Sequence, residues 1–195
     1  AFIIAMALSV TCTPLLIRFL VLHQYGQFIR QDGPTQHLTK RGTPTMGGVV
    51  IILATVIAWL IGSAVAGAGP SWSGLLLVFL FVGLGVIGLL DDGIKIMRQR
   101  SLGLHPSGKI IGQVAVASLF ALGTLIMPNE FGEYAGTLAI SFARPTALTL
   151  GFAGLGVGIA LYLIWTNLIV TAWSNATNLT DGLDGLAAGV SIFVF

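Results

Sequence analysis

Charge is what this chain has least of. Asp, Glu, Lys and Arg make up 8% of its 195 residues, against about 25% in an ordinary soluble domain. Hydrophobic residues make up 55%, and the mean hydropathy is +0.95. A water-soluble globular domain is therefore excluded. Cysteine is nearly absent too. Cys12 stands alone inside an apolar run, which excludes a disulfide framework and reads as an inert buried thiol. The net charge is only +2, and no nucleic-acid partner is expected. The first apolar run lacks a basic leading segment, and its one charge, Arg18, lies at the far end. That pattern describes a membrane span rather than a signal peptide.

What the chain does contain is a series of apolar runs near the roughly 20 residues a bilayer requires. Residues 1–22, 46–69, 75–90, 110–127 and 150–173 read as five spans, and a sixth begins near Leu186. The fold expected is an all-α polytopic membrane protein: one integral-membrane domain over 1–195, cut from a longer chain because both ends fall inside apolar runs. The few cations are unevenly placed. Arg30, Lys40 and Arg41 fall in the first loop, and Lys95, Arg98, Arg100 and Lys109 in the third. The positive-inside rule then puts 23–45, 91–109 and, by counting spans, 174–185 in the cytoplasm, with 70–74 and 128–149 outside. Asp32, Asp91, Asp92, Asp181 and Asp184 collect on the cytoplasmic face, whereas Glu130 and Glu133 are outside. Acids and bases converging on one face suit a phosphate and metal site.

Three loops carry the chemistry. In the first, Lys40, Thr43 and Thr45 precede Gly47-Gly48, which open span two. Free N–H groups at a helix start favour an anion, although Thr45 would equally serve as a plain helix cap. In the second, span three ends at Asp91-Asp92, followed by Lys95. Adjacent carboxylates need a cation; Lys95 supplies one along the same helical face, and Mg²⁺ would supply more. The third loop, NATNLTDGLDGLAAG at 175–189, spaces Asn178, Asp181 and Asp184 by three, which puts them on one face if the stretch is helical. Carboxylates beside a membrane core are costly and usually functional. Lys109, opening span four, either snorkels to the interface or meets a phosphate. His23, His37 and His105 read as solvated loop residues. Trp59, Trp72, Trp165 and Trp173 mostly lie near span ends, as an interfacial belt would.

Other patterns lead nowhere. Gly83-Leu84-Gly85-Val86-Ile87-Gly88 matches G-x-G-x-x-G, but it lies inside a lipid-length run rather than at a strand-to-helix turn. Small residues there serve close helix packing, and Gly154, Gly156 and Gly158 in span five are read the same way. Asn175 and Asn178 begin glycosylation sequons that a cytoplasmic location renders meaningless. The 128–149 loop holds short β-prone pieces and no visible chemistry.

Taken together, GQFIRQDGPTQHLTKRGTPTMGG, GLLDDGIK and NATNLTDGLDGLAAG resemble the signatures of the phospho-N-acetylmuramoyl-pentapeptide transferases, within the polyprenyl-phosphate N-acetylhexosamine-1-phosphate transferases. The resemblance implies transfer of phospho-N-acetylmuramoyl-pentapeptide from its UDP conjugate to undecaprenyl phosphate. The products are the first lipid-linked peptidoglycan intermediate and UMP. It implies a Mg²⁺-dependent enzyme of a bacterial plasma membrane, with its site on the cytoplasmic face. Its partners are the two substrates, the bilayer and a second copy of the chain whose contacts the sequence does not specify. Carried over by motif, Lys40 and Thr45 fall at the nucleotide site, and Asp91, Asp92 and Lys95 near the phosphates. Lys109 matches the lysine that begins the next span. Asn178, Asp181 and Asp184 line the nucleoside-diphosphate pocket. Asp91, Asp92, Lys95 and Asp181 are the expected catalytic residues, and Asp91, Asp92 and Asp181 the candidate metal ligands. The family fold has about ten spans, so a further ligand is expected beyond Phe195 and the fragment alone is expected to be inactive. Two rivals remain. A sister N-acetylglucosamine-1-phosphate transferase shares the acidic motifs. A transporter predicts charges near mid-span, whereas here nearly all lie at span ends.

Overall fold

A computed structural model describes residues 1–26, 42–67, 69–129, 131–141, 145–181 and 185–194. Five helices are long and apolar enough to cross a membrane: α1 (Phe2–Leu22), α2 (Gly48–Val65), α3 (Trp72–Met97), α4 (Pro106–Ile126) and α5 (Leu155–Thr180). A short sixth helix, α6 (Leu186–Val194), follows. Between α4 and α5 lie two antiparallel strands, β1 (Ala139–Ser141) and β2 (Pro145–Thr149), paired with Ala139 opposite Thr149 and Ser141 opposite Pro145. The all-α polytopic class holds, with this hairpin accounting for the β-prone pieces of the loop.

The chain forms two compact units, Ala1–Lys109 and Ile110–Phe195. In the first, α1 and α3 both pack on α2. Val50, Ala54 and Ala58 form a buried stripe along α2 at four-residue intervals, and small residues there let backbones approach closely. The glycine pattern in α3 serves the same end at Gly85, where an added Cβ would collide with the Ile52 side chain. In the second unit, Gln113, Ala117 and Ala121 form the equivalent stripe on α4. Large apolar side chains elsewhere, such as Leu15, Leu53, Leu77 and Ile164, are exposed. Lipid tails cover such faces at no hydrophobic cost, while each helix satisfies its own backbone.

Two boundaries differ from the hydropathy reading. Helix α3 starts at Trp72, where the Ser71 hydroxyl accepts from the Gly74 N–H, and it continues seven residues past Leu90 to Met97. The polar turn 91–97 is thus helical and extends the span outwards. At the other boundary, residues 150–153 form a 3₁₀ turn, and Gly154, at φ +99°, redirects the chain before α5 begins. The membrane-packing role read for Gly154, Gly156 and Gly158 is therefore corrected. Gly154 is a turn residue, Gly156 has open space beside it, and Gly158 abuts Leu138 and Gly151 of the hairpin region rather than another span.

Candidate active site

The end of α3 gathers the densest charge among the described residues. In α-helical geometry, positions three and four apart share a face, so Lys95 reaches both preceding aspartates. Its Nζ lies 2.7 Å from Asp91 Oδ2 and 3.0 Å from Asp92 Oδ1. One ammonium bridges two adjacent carboxylates and relieves their repulsion. The two acids are not equivalent. Asp91 is buried, with its side chain 12% exposed, whereas that of Asp92 is 31% exposed. The loop leading to α4 makes the difference, because the Leu104 N–H donates to Asp91 Oδ1 at 2.9 Å. Gly103 passes so close that an added Cβ would strike the Asp91 carboxylate and its backbone oxygen. Pro106 then opens α4, a position where its missing N–H costs nothing. Lys109, in the first turn of α4, acts on Asp91 through space. Asp91 is thus held on both oxygens, and Asp92 presents itself outward.

The first loop reaches the same place. Gly26 and Pro44 form an isolated antiparallel bridge, so the chain on either side of 27–41 is pinned together. A Cβ on Gly26 would collide with the backbone of Gly42. Met46 takes a left-handed φ of +70°, and its Cε lies 3.8 Å from where a Cβ on Gly93 would stand. The Met46 side chain therefore sits against the α3 turn that carries Asp92. The capping role open for Thr45 is not taken. Gly47 is the N-cap of α2, without any side-chain capping bond, and Thr45 Oγ1 is buried with no hydrogen-bond partner among the described residues. Such a hydroxyl costs about 1–3 kcal/mol unless something completes it.

In the second unit the 175–189 motif is helical through Thr180, and Asp181 forms the C-cap, its N–H donating to the Thr177 carbonyl at 3.1 Å. Asn178 and Asp181 thus stand three apart at the end of α5. Lys40 and Asp184 lie outside the described residues. So do Arg30, Asp32, His37, Arg41, Glu130 and Arg144 of the charge pattern. His23 and His105 are exposed, with His105 Nδ1 2.7 Å from Ser107 Oγ.

Among the described residues no group of three acidic, His or Cys side chains forms a metal cluster. The chemistry of the donors nonetheless fits a hard cation, since carboxylate oxygens are what Mg²⁺ takes. Asp92, part-exposed and bound on one oxygen by Lys95, is the better placed donor of the pair.

A family model described as "Glycosyl transferase family 4" matches residues 74–195, which includes the Asp91-Asp92 turn and the Asn178–Asp181 motif. This chain belongs to glycosyl transferase family 4. A second match, "Phospho-N-acetylmuramoyl-pentapeptide-transferase signature 1", covers residues 40–52 around Thr45. Curated relatives carry the name phospho-N-acetylmuramoyl-pentapeptide-transferase. The one from Beutenbergia cavernae is 59% identical over 98% of this chain and 53% of its own length. That from Paenarthrobacter aurescens is 52% identical over 98% and 54%, and that from Bifidobacterium adolescentis 45% over 98% and 54%. The family 4 chain thus spans about half the length of the curated relatives it matches. The resemblance read from the three motifs holds, and the chain is a multi-pass bacterial membrane protein of a transferase family.

Motif reading did not single out the Gly103-Leu104 clamp on Asp91, or Gln113 and Ser174 of the second unit, and it read Asn175 only as the start of a sequon. The clamp is made by backbone, which leaves only a Gly as its trace. Gln113 left a fainter signal: it is an amide within an apolar span, in step with Ala117 and Ala121.

Proposed function

We propose that the protein containing this chain transfers phospho-N-acetylmuramoyl-pentapeptide from its UDP conjugate to undecaprenyl phosphate, releasing UMP. The observation that carries this reading is the meeting of two motifs at Gly93. The signature loop sets Met46, next in sequence to the buried, unpartnered Thr45 hydroxyl, against Gly93 of the helix end where Asp91, Asp92 and Lys95 cluster. The names of the curated relatives support the substrate class.

The chemistry follows from charge. An oxygen of the lipid phosphate attacks the phosphorus attached to the sugar. The new P–O bond forms as the bond to the UMP oxygen breaks, and UMP leaves with the electron pair. Nucleophile and electrophile are both anionic, so the site must position them and offset their repulsion. Lys95 holds a positive charge at this spot, and Asp91 fixes Lys95 through the clamp. Thr45 offers a hydroxyl for a nucleotide oxygen, and Asn178 and Asp181 offer hydrogen-bonding groups to the nucleoside. Asp92, with Asp91 as a further donor, would hold Mg²⁺. The bound ion would supply neutralisation of phosphate charge. Placing these groups on the cytoplasmic rim lets a soluble nucleotide meet a membrane-bound acceptor, and the clustering of Lys and Arg in the 23–45 and 91–109 loops supports that orientation.

The test is UMP release and lipid-product formation by the full-length protein in membranes, with radiolabelled UDP-N-acetylmuramoyl-pentapeptide and UDP-N-acetylglucosamine in parallel. Turnover of the first alone is expected. Turnover of only the second assigns the sister reaction instead, and turnover of neither overturns the transferase reading. The 195-residue chain by itself, half the length of its relatives, is expected to show no turnover in the same assay.

A further inference from the structure

Gln113 is 1% exposed and is the largest fully buried side chain among the described residues. Burying an amide without partners costs several kcal/mol, and here both ends of it are used by α5. Gln113 Nε2 donates to Ser174 Oγ at 2.9 Å, and Asn175 Nδ2 donates to Gln113 Oε1 at 3.0 Å. Asn175 Nδ2 also donates to the Thr171 carbonyl at 2.8 Å, which fixes its rotamer. The fork therefore grips two consecutive residues of α5 from one residue of α4. Two further links join the same pair of helices. Asn167 Nδ2 donates to Ser118 Oγ at 3.0 Å, and the hydroxyls of Thr124 and Tyr162 lie 2.9 Å apart. The fork differs from these in position. It sits on the turn of α5 immediately before Asn178, with Asp181 one turn further on.

We infer that Gln113 is a positioning residue for substrate binding. It sets the rotation and register of the end of α5, and so aims Asn178 and Asp181. This role rests on the transferase reading above. Its physical basis is the helix itself. A slip of one residue moves the end of α5 by about 1.5 Å and turns each side chain by about 100°, and a contact pair that binds adjacent positions resists both. In a lipid-facing pair the apolar surfaces supply little register of their own, so hydrogen bonds and close packing set it. Ala117 and Ala121, both fully buried, continue the same stripe of α4.

The experiment uses the full-length protein, with Gln113→Leu, Ser174→Ala and the distal control Thr124→Val. Each is assayed for KM and kcat with UDP-N-acetylmuramoyl-pentapeptide and for Tm in detergent. Gln113→Leu keeps the bulk and removes the fork. It is expected to raise the nucleotide-substrate KM about tenfold, as a misaimed binding group does, with a much smaller change in kcat. Ser174→Ala removes one prong from the other side and should shift KM in the same direction by about threefold, within the range of one neutral hydrogen bond. It also covers the case in which Gln113→Leu fails to fold. Thr124→Val should lower Tm and leave KM unchanged. If all three variants lower Tm and none moves KM, the seam is merely adhesive and the positioning role is overturned. Wild-type protein that turns over no UDP-sugar overturns the transferase reading itself; active wild type with unmoved KM in the variants overturns only the role of Gln113.

Discussion

The end of α3 and the α4–α5 seam are two ways of placing polar groups in an apolar chain. At the end of α3 the groups are ionised, three or four residues apart in sequence, and partly open: Lys95 bridges Asp91 and Asp92, with Asp92 facing outward. Along the seam they are neutral, distant in sequence and closed: Gln113 meets residues 61 and 62 positions away. Charge at a helix end can reach a phosphate while water and headgroups limit its desolvation cost. The side chains of Gln113 and Ser174, and of Thr124 and Tyr162, are neutral and meet their partners on the facing helix. The first arrangement suits chemistry, and the second suits holding helices in place.

The sharpest way to separate the two is to remove charge from the α3 end while keeping its shape. Asp92→Asn is expected to lower kcat by about a thousandfold, the scale of losing a preorganised electrostatic group, with Tm nearly unchanged because Asp92 is part-exposed. Next comes Gly103→Ala. Its Cβ would strike the Asp91 carboxylate, and forcing in such a group costs about 1–3 kcal/mol. Both a lower Tm in detergent and a lower kcat are expected, since the loop that clamps Asp91 must move. Thr45→Val follows. It removes a buried unpartnered hydroxyl, so the free protein should be no less stable, while KM for the UDP-sugar rises about tenfold, a loss near 1.4 kcal/mol. If Thr45→Val instead destabilises the protein without moving KM, the hydroxyl serves the fold and the loop loses its place in the site. The smallest effect belongs to the seam's far end. Thr124→Val should cost about 0.6 kcal/mol, the usual worth of an interhelical hydrogen bond in a membrane, read as a small fall in Tm with kcat and KM intact.

The same contrast explains what the sequence made legible. Spans were visible because an apolar run is local and needs no partner to be read. The edges were less so. Helix α3 runs on to Met97 because its polar turn is as helical as the apolar part, and hydropathy is blind to that. Helix α5 starts late because Gly154 adopts a positive φ, a property of one backbone position. In the site, the Asp91, Asp92 and Lys95 cluster was readable from helical spacing alone. The meeting of Met46 with Gly93 was not, because it depends on how α2 and α3 pack. The clamp by Leu104 uses a backbone N–H that any residue but proline would offer. Gln113 stood in the sequence as an isolated amide whose partners lie a whole hairpin and helix away.

The most direct test of the account is UMP release by full-length protein and its Asp92→Asn variant, measured with Tm on the same preparations. UMP and lipid product are expected from the wild type and about a thousandfold less from the variant, with Tm matching the wild type to within a few degrees. Equal turnover by both proteins would contradict it, because the part-exposed charge at the end of α3 would then take no part in the chemistry.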